Sequence, residues 1–242
     1  MSSVKSSNRL MTIPDYITTV DVTDSLSSCA VRVDTTSQGL IIYFPITDSI
    51  IFRCFDRPIP EIDSLVCFCC AAAFSRTDSP HNNNHKSVAG DHVCSGERKP
   101  GYPCKNNTGA VVFYNGAWKF LFNTYSHELD SAAMYGGSGF AQEMLIHEKR
   151  PIKTVRPLSD VNQYRALCQI GEELCIIDSK ETVSFGAFIN RLLEKGVTEA
   201  LYLDMGDWHY SWYRNILGGE VIPIHADHKE SATNWLLFYH RK

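Results

Sequence analysis

The sequence predicts an α+β fold: a single domain with a mixed or antiparallel sheet and few helices. Three observations carry that expectation. Apolar runs of strand length recur at short intervals, separated by polar turn signals such as DTTSQG and TDS. An Asn-Gly pair, Asn115-Gly116, lies between two strand-like runs, which marks a two-residue hairpin. Residues 184–195 form the only segment with a clear helical apolar period, a cap and a stop.

In chain order, residues 1–15 are polar and expected to be a flexible N-terminus, with the single domain occupying 16–242. Strands are expected at 17–22, 29–33, 40–45 and 50–54. Pro58 and Pro60 break the chain before 65–74, an apolar run rich in Val, Phe and Cys that reads as a central strand. Residues 75–107 are expected to form the longest irregular stretch; it holds His81, His85, His92, Asp78 and Asp91, and a loop of that length in a compact domain is usually functional or disordered. The hairpin at 108–122 follows, then a loop at 123–139 and a strand at 140–146. Residues 164–170 and 173–178 pair about Gly171. In the helix, Ser184 caps the N-terminus, Phe185, Phe188, Ile189, Leu192 and Leu193 make one apolar face, and Gly196 supplies the stop. A final strand at 235–239 is expected to close the sheet.

Composition narrows the function classes. The 242 residues are 44% hydrophobic and 21% charged, as in a soluble globular protein, and the formal net charge is −4. There is no Lys/Arg run to bind a phosphate backbone, so no nucleic-acid partner is expected. No apolar stretch reaches transmembrane length. The opening MSSVKSSNRLM has no apolar signal core, which implies a cytoplasmic protein, or an exported one whose leader has been removed. Nine cysteines are many and their number is odd. Cys67, Cys69 and Cys70 read as small buried hydrophobes. Cys94 and Cys104 flank a polar loop and are the best disulfide candidates. His81, His85, Cys94 and Cys104 match no strong zinc spacing, so no metal is expected, and no cofactor either. GxSxG, P-loop and GxGxxG motifs are absent, which removes the commonest hydrolase, NTPase and dinucleotide readings.

The chemistry-bearing stretch is ALYLDMGDWHYSWYRN, residues 200–215. It begins as a buried strand and ends in Asp204, Gly206 and Asp207, then Trp208, His209, Tyr210, Trp212 and Tyr213. Aromatic faces beside carboxylates suit a sugar ring, whose C–H face is apolar and whose hydroxyls need acceptors. A core aromatic cluster with Asp204 capping a turn would have the same composition. Gln142 and Glu143 lie in FAQEMLI; on one alternating strand they point to opposite faces, which makes Glu143 a candidate acid or base. Arg165, in the otherwise apolar YRALCQIG, needs an anion: Asp178, Asp204, or a substrate phosphate held bidentately.

With these motifs in order, the C-terminal half resembles the phosphodiester glycosidase domain family. FAQEMLI resembles its glutamine-containing strand, YRALCQIG its Arg-x-Ala/Ser…Gly strand, and ELCIIDS the strand ending in Asp-Gly. SFGAFINRLLEKGV and EALYLDMG resemble its helix followed by Leu-Asp-Gly-Gly, and CAAAF its segment ending in Phe. The resemblance spans roughly residues 65–240. Met205 and Asp207 replace family glycines, Ser179 replaces the glycine after Asp178, and the asparagine expected before Phe74 is absent. These departures mark a divergent branch, closest to bacterial sequences of the gut type. The resemblance implies a hydrolase that cleaves the sugar side of a sugar-1-phosphodiester, such as one bearing N-acetylglucosamine. In that scheme Asp204 and Glu143 are the carboxylates and Arg165 is the phosphate clamp. Asp91 and His92 assist from the long loop, while Trp208, His209, Gln142 and Asp178 contact the sugar phosphate. A non-catalytic carbohydrate-binding module on the same fold is the alternative.

Overall fold

Short apolar strands build most of this structure, and because their sheets carry apolar side chains on both faces, each must be covered twice. The computed structural model describes residues 29–47, 49–54, 60–75, 87–205, 210–225 and 234–240. The expectations for a flexible 1–15 segment and a strand at 17–22 lie outside them. Every pairing between the described strands is antiparallel. With two α-helices among the described residues, the fold is mostly β, and the α+β label fits it only approximately.

The first sheet has seven strands, in the order Val31–Thr35, Leu40–Pro45, Glu173–Ser179, Arg165–Ile170, Val197–Leu203, Met144–His147 and Arg150–Pro151. The second runs Ile222–His225, Ser211–Tyr213, Val66–Ala71, Asn234–Tyr239 and Ser49–Cys54. The third runs Glu97–Lys99, His92–Cys94, Ser138–Gln142, Gly109–Tyr114 and Ala117–Phe122. All three turn one face to a shared core. Leu167, Ile176, Leu201 and Leu203 from the first sheet meet Phe52, Phe68 and Phe238 from the second and Val111 and Phe140 from the third.

The outer faces are covered separately. Helix α1 (Ser126–Met134) sets Leu129 and Ala132 on Ala110, Val112 and Ala141 of the third sheet. Helix α2 (Phe185–Glu194) lays Phe185, Phe188, Ile189 and Leu192 on Ile42, Ala166, Cys168, Ile177 and Tyr202 of the first. The outer face of the second sheet carries Cys69, Trp212, Trp235 and Leu237.

Several local expectations hold. The Asn115-Gly116 turn has φ of 54° and 73°, the left-handed pair that a type I′ hairpin requires. The Ser184 side chain accepts the Ala187 N–H at 3.2 Å and caps α2. All six residues of Val66–Ala71 are buried in the middle of their sheet.

Others are corrected. The expected loop at 123–139 contains α1, whose sequence SHELDSAAM buries only Leu129 and Ala132 and has no side-chain cap, so its period is faint. The expected irregular stretch at 75–107 contains the ladder of His92–Cys94 with Glu97–Lys99, turned by Ser95 and Gly96 at φ of 55° and 74°. The last strand, Asn234–Tyr239, lies in the second sheet and not beside the strand that ends at Leu203. All nine cysteines, Cys94 and Cys104 included, are outside disulfides.

Ser49–Cys54 is an edge strand, and side chains of the third sheet cap it. The Phe52 N–H donates to Ser138 Oγ at 3.0 Å, and the Cys54 N–H donates to Cys94 Sγ at 2.8 Å. Among the described residues no helix is long and apolar enough to cross a membrane.

Phe188 is fully buried under α2. Phe188→Ala is expected to lower unfolding stability by about 3–5 kcal/mol, read from the urea midpoint at unchanged slope. A loss below about 1 kcal/mol would show that the first sheet does not depend on this face of the helix.

Candidate functional site

The strand Val197–Leu203 ends by delivering Asp204, whose N–H donates to the Ala72 carbonyl at 2.9 Å. Ala71, Ala72 and Ala73 carry no bulk, which lets the two chains approach this closely. Asn234 holds the alanines in place: its Oδ1 accepts the Ala73 N–H at 2.7 Å, and its Nδ2 donates to the Ala73 carbonyl at 2.9 Å and to Ser75 Oγ at 3.1 Å.

Beside Asp204, the expected single strand at 140–146 is broken. Ser138–Gln142 belongs to the third sheet and Met144–His147 to the first, with Glu143 at the crossing. Its carbonyl accepts the Tyr202 N–H at 2.9 Å. Its side chain is fully buried. Oε1 accepts the N–H groups of Val155 and Arg156 at 3.0 and 3.4 Å, and Oε2 faces Asn106 Nδ2 at 3.4 Å. The Glu143 N–H donates to Gln142 Oε1 at 2.9 Å, and the buried Gln142 Nε2 has no hydrogen-bond partner among the described residues.

The turn that Glu143 holds carries Arg156. Its guanidinium lies 4.9 Å from the Tyr202 ring centre, 5.3 Å from Phe185 and 5.9 Å from Tyr164. Nη1 donates to Asp160 Oδ2 at 3.0 Å, while Nε is buried with no partner among the described residues. Burial acts to lower the proton affinity of Arg156, and Tyr202, Asp160 and Glu143 together outweigh it and raise it. Burial raises the Tyr202 phenol; Arg156 opposes this, and Asp204, Tyr164 and Glu143 add to it. Tyr164 is pushed up to about 12, by burial first and then by Asp160, with Arg156 opposing. Phe74 packs on Tyr202 at 5.3 Å. Glu143 is thus joined to Arg156 through the backbone, Arg156 lies over the Tyr202 ring, and the Asp204 charge acts on the Tyr202 phenol from the strand end.

Arg165 and Asp178 point the other way. They are register partners on adjacent strands, and Nε and Nη2 of Arg165 donate to the two carboxylate oxygens at 2.6 Å each. Arg165 is 0% exposed and Asp178 2%. Alternation puts both on the face of Leu167 and Leu203, inside the shared core, whereas Tyr202 faces α2. Burial favours the neutral guanidinium, but the Asp178 charge and hydrogen bonds prevail and raise its pKa. Arg165 Nη1 has no hydrogen-bond partner among the described residues.

The remaining sequence-derived residues fall elsewhere. Asp91 pairs with Arg98 at 2.6 Å, and Arg98 also holds Asp130 of α1 at 2.5 Å. His92 is buried, with Nδ1 3.0 Å from the Gly90 carbonyl and its ring 5.8 Å from Phe52. The long loop reaches Glu143 through Asn106. His81, His85, Trp208 and His209 lie outside the described residues. Arg156 and Tyr202 were missed in the sequence. The first sits among prolines in a connection, and the second reads as one more residue of an apolar run. A cavity of about 740 Å³ opens away from this site, lined by residues that include Arg53, Ser95, Tyr114, Trp118 and Tyr135; the candidate site is placed instead at Glu143 and Arg156, beside the strand end that carries Asp204, where a buried carboxylate is held by backbone N–H groups and Gln142 Nε2 and Arg156 Nε are buried without a partner among the described residues.

No protein-family model matches the chain, and no curated protein matches it in sequence. Among solved structures it is similar to the zebrafish N-acetylglucosamine-1-phosphodiester alpha-N-acetylglucosaminidase catalytic domain, auto-inhibited by its pro-peptide. The TM-score is 0.57 at 13% identity, over 88% of this chain and 82% of that one. It is also similar to a hypothetical protein from Synechocystis, with a TM-score of 0.50 at 11% identity, over 87% of this chain and 61% of that one. At these identities the likeness is one of fold.

The buried ion pair gives a direct expectation. Asp178→Ala leaves a guanidinium uncompensated in the core and should cost about 3–5 kcal/mol. Replacing both partners, Arg165→Met with Asp178→Leu, should recover most of that loss in chemical denaturation. A double variant as unstable as the single one would show that the cost lies in packing and not in the stranded charge.

Proposed function

We propose that this chain hydrolyses a sugar-1-phosphodiester on the sugar side, releasing the free sugar, N-acetylglucosamine in the first instance, and a phosphomonoester. The grouping of Glu143, Arg156 and Asp204 about Tyr202 carries the reading. The fold likeness to an N-acetylglucosamine-1-phosphodiester alpha-N-acetylglucosaminidase supports the substrate class.

The chemistry suits these groups. A phosphomonoester leaves more readily than a sugar alcohol, so a strong general acid is less necessary. The remaining tasks are to stabilise positive charge at the anomeric carbon and negative charge on the departing phosphate. In this proposal Asp204, at the strand end, faces the anomeric carbon. Arg156 neutralises the phosphate, because Arg165 already commits Nε and Nη2 to Asp178. Glu143 spends one oxygen on the backbone N–H groups of residues 155 and 156, so its role is to position Arg156. The Gln142 Nε2 donor is assigned to a sugar hydroxyl, and Trp208 and His209 to the sugar face. Asp91, engaged by Arg98, and His92 take no step.

Asp204→Asn keeps size and removes charge. It is expected to lower kcat by roughly 10²–10³ with little change in KM, as for an interaction made in the transition state. Arg156→Lys keeps charge and removes the planar fork, so it should reduce kcat/KM on phosphodiester substrates far more than on aryl glycosides, which present no phosphate. Equal losses on both would reassign Arg156 to structure. Wild-type protein that binds the sugar without turning it over, and keeps binding as Asp204→Asn, would establish the carbohydrate-binding module.

A further inference from the structure

Two of the nine cysteines differ in kind from the others. Cys67, Cys69, Cys70, Cys168 and Cys175 are fully enclosed. Burial pushes the thiols of Cys69, Cys70, Cys168 and Cys175 up, Cys70 to about 12. Cys168 and Cys175 face each other across paired strands, yet both stay neutral in the apolar layer under α2.

Cys54 and Cys94 lie at strand ends on two different sheets. Cys54 closes the edge strand Ser49–Cys54 and is partly exposed; Cys94 closes His92–Cys94 just before the Ser95-Gly96 turn and is 6% exposed. The Cys54 N–H donates to Cys94 Sγ at 2.8 Å. The two residues therefore meet where the edge of the second sheet touches the third. The Cys94 thiol is lowered to about 6, chiefly by the Cys54 side-chain hydrogen bond. Burial opposes the shift, and the Cys54 N–H, Ser95 and the Lys99 charge reinforce it. A cysteine with a lowered thiol and a second cysteine held against its sulfur through the backbone is the arrangement of an oxidisable cysteine with a resolving partner beside it. Arg53 and Ser95, the chain neighbours of the two cysteines, line the cavity of about 740 Å³, and Cys54 itself is partly exposed.

We propose that Cys54 and Cys94 are a modification site for hydroperoxides, which convert the pair to a disulfide joining the edge of the second sheet to the third. The steps balance without any group beyond the peroxide. The Cys94 thiolate attacks one peroxide oxygen, the O–O bond breaks, and hydroxide or alkoxide leaves, giving a sulfenic acid. Cys54 sulfur then attacks Cys94 sulfur, the S–O bond breaks, and the oxygen leaves as water with the Cys54 proton. Two thiols lose two electrons in total and the peroxide gains them. A small oxidant is required, because a residue that is 6% exposed admits hydrogen peroxide more easily than a bulky disulfide.

The test uses the full chain, reduced and then exposed to hydrogen peroxide near neutral pH, with alkylation and peptide mapping over time. A Cys54–Cys94 cross-linked peptide is expected first, forming roughly tenfold or more faster than any oxidation at Cys168 or Cys175. In Cys54→Ser, Cys94 should stop at a sulfenic acid that a 1,3-dicarbonyl reagent traps, and in Cys94→Ser the fast phase should vanish. Oxidation of Cys94 no faster than of Cys168 and Cys175 would overturn the proposal. So would a wild-type product without the 54–94 link, and that readout does not depend on whether either variant folds.

Discussion

The Arg165–Asp178 ion pair lies within the core shared by three sheets, and the arrangement of that core depends on it. Taking both charges out of water costs several kcal/mol per ion, and a two-pronged pair at 2.6 Å on each prong offsets that cost only while both partners stay opposite each other. The geometry holds for one register of Arg165–Ile170 on Glu173–Ser179. A slip of one residue would turn a charge towards the apolar layer under α2. A slipped register would therefore strand both charges, which opposes the alternative pairings. Because Arg165 is also the register partner of Leu203, the same constraint fixes where the next strand ends and where Asp204 emerges.

A second constraint operates at Glu143. There the chain leaves the third sheet and joins the first, and a buried carboxylate is held by backbone N–H groups and an asparagine amide, with no side-chain cation on it among the described residues. The turn that supplies those N–H groups carries Arg156 back over Tyr202. The sheet crossing and the placement of the cation are thus one event. The site at the strand end is assembled from the third sheet, the first sheet and the connection between residues 151 and 160, with the alanines of the second sheet packed behind Asp204.

Much of the fold was legible in the sequence because its signals are local. Asn115-Gly116 dictates its turn through backbone sterics alone, and Ser184 with the Phe185, Phe188 and Leu192 stripe specifies α2 without help from the rest of the chain. Helix α1 was not legible, since two buried residues do not make a period, and its stability comes from the sheet beneath it. The division into separate sheets was hidden for a similar reason: an apolar strand does not state which neighbour it joins. In the site, Asp204 and Glu143 stood out as carboxylates among apolar residues, whereas Arg156 did not, because its meaning comes from the Glu143 carboxylate reaching its backbone across the fold. Arg165 was recognised as needing an anion, and alternation of its strand decides that the anion is Asp178.

The capped edge of Ser49–Cys54 bears on the behaviour of the molecule in a crowd. The segment SIIFRC is the kind of β-prone stretch that recruits a second chain when its N–H groups are open. Two of those N–H groups are occupied by the hydroxyl of Ser138 and the sulfur of Cys94, side chains that satisfy a donor without offering a ladder to continue. The second sheet ends there without merging into the third. Protection against self-association at this edge is thus vested in two small side chains of a neighbouring sheet, and the charged or proline residues that usually blunt an edge are not needed at those positions.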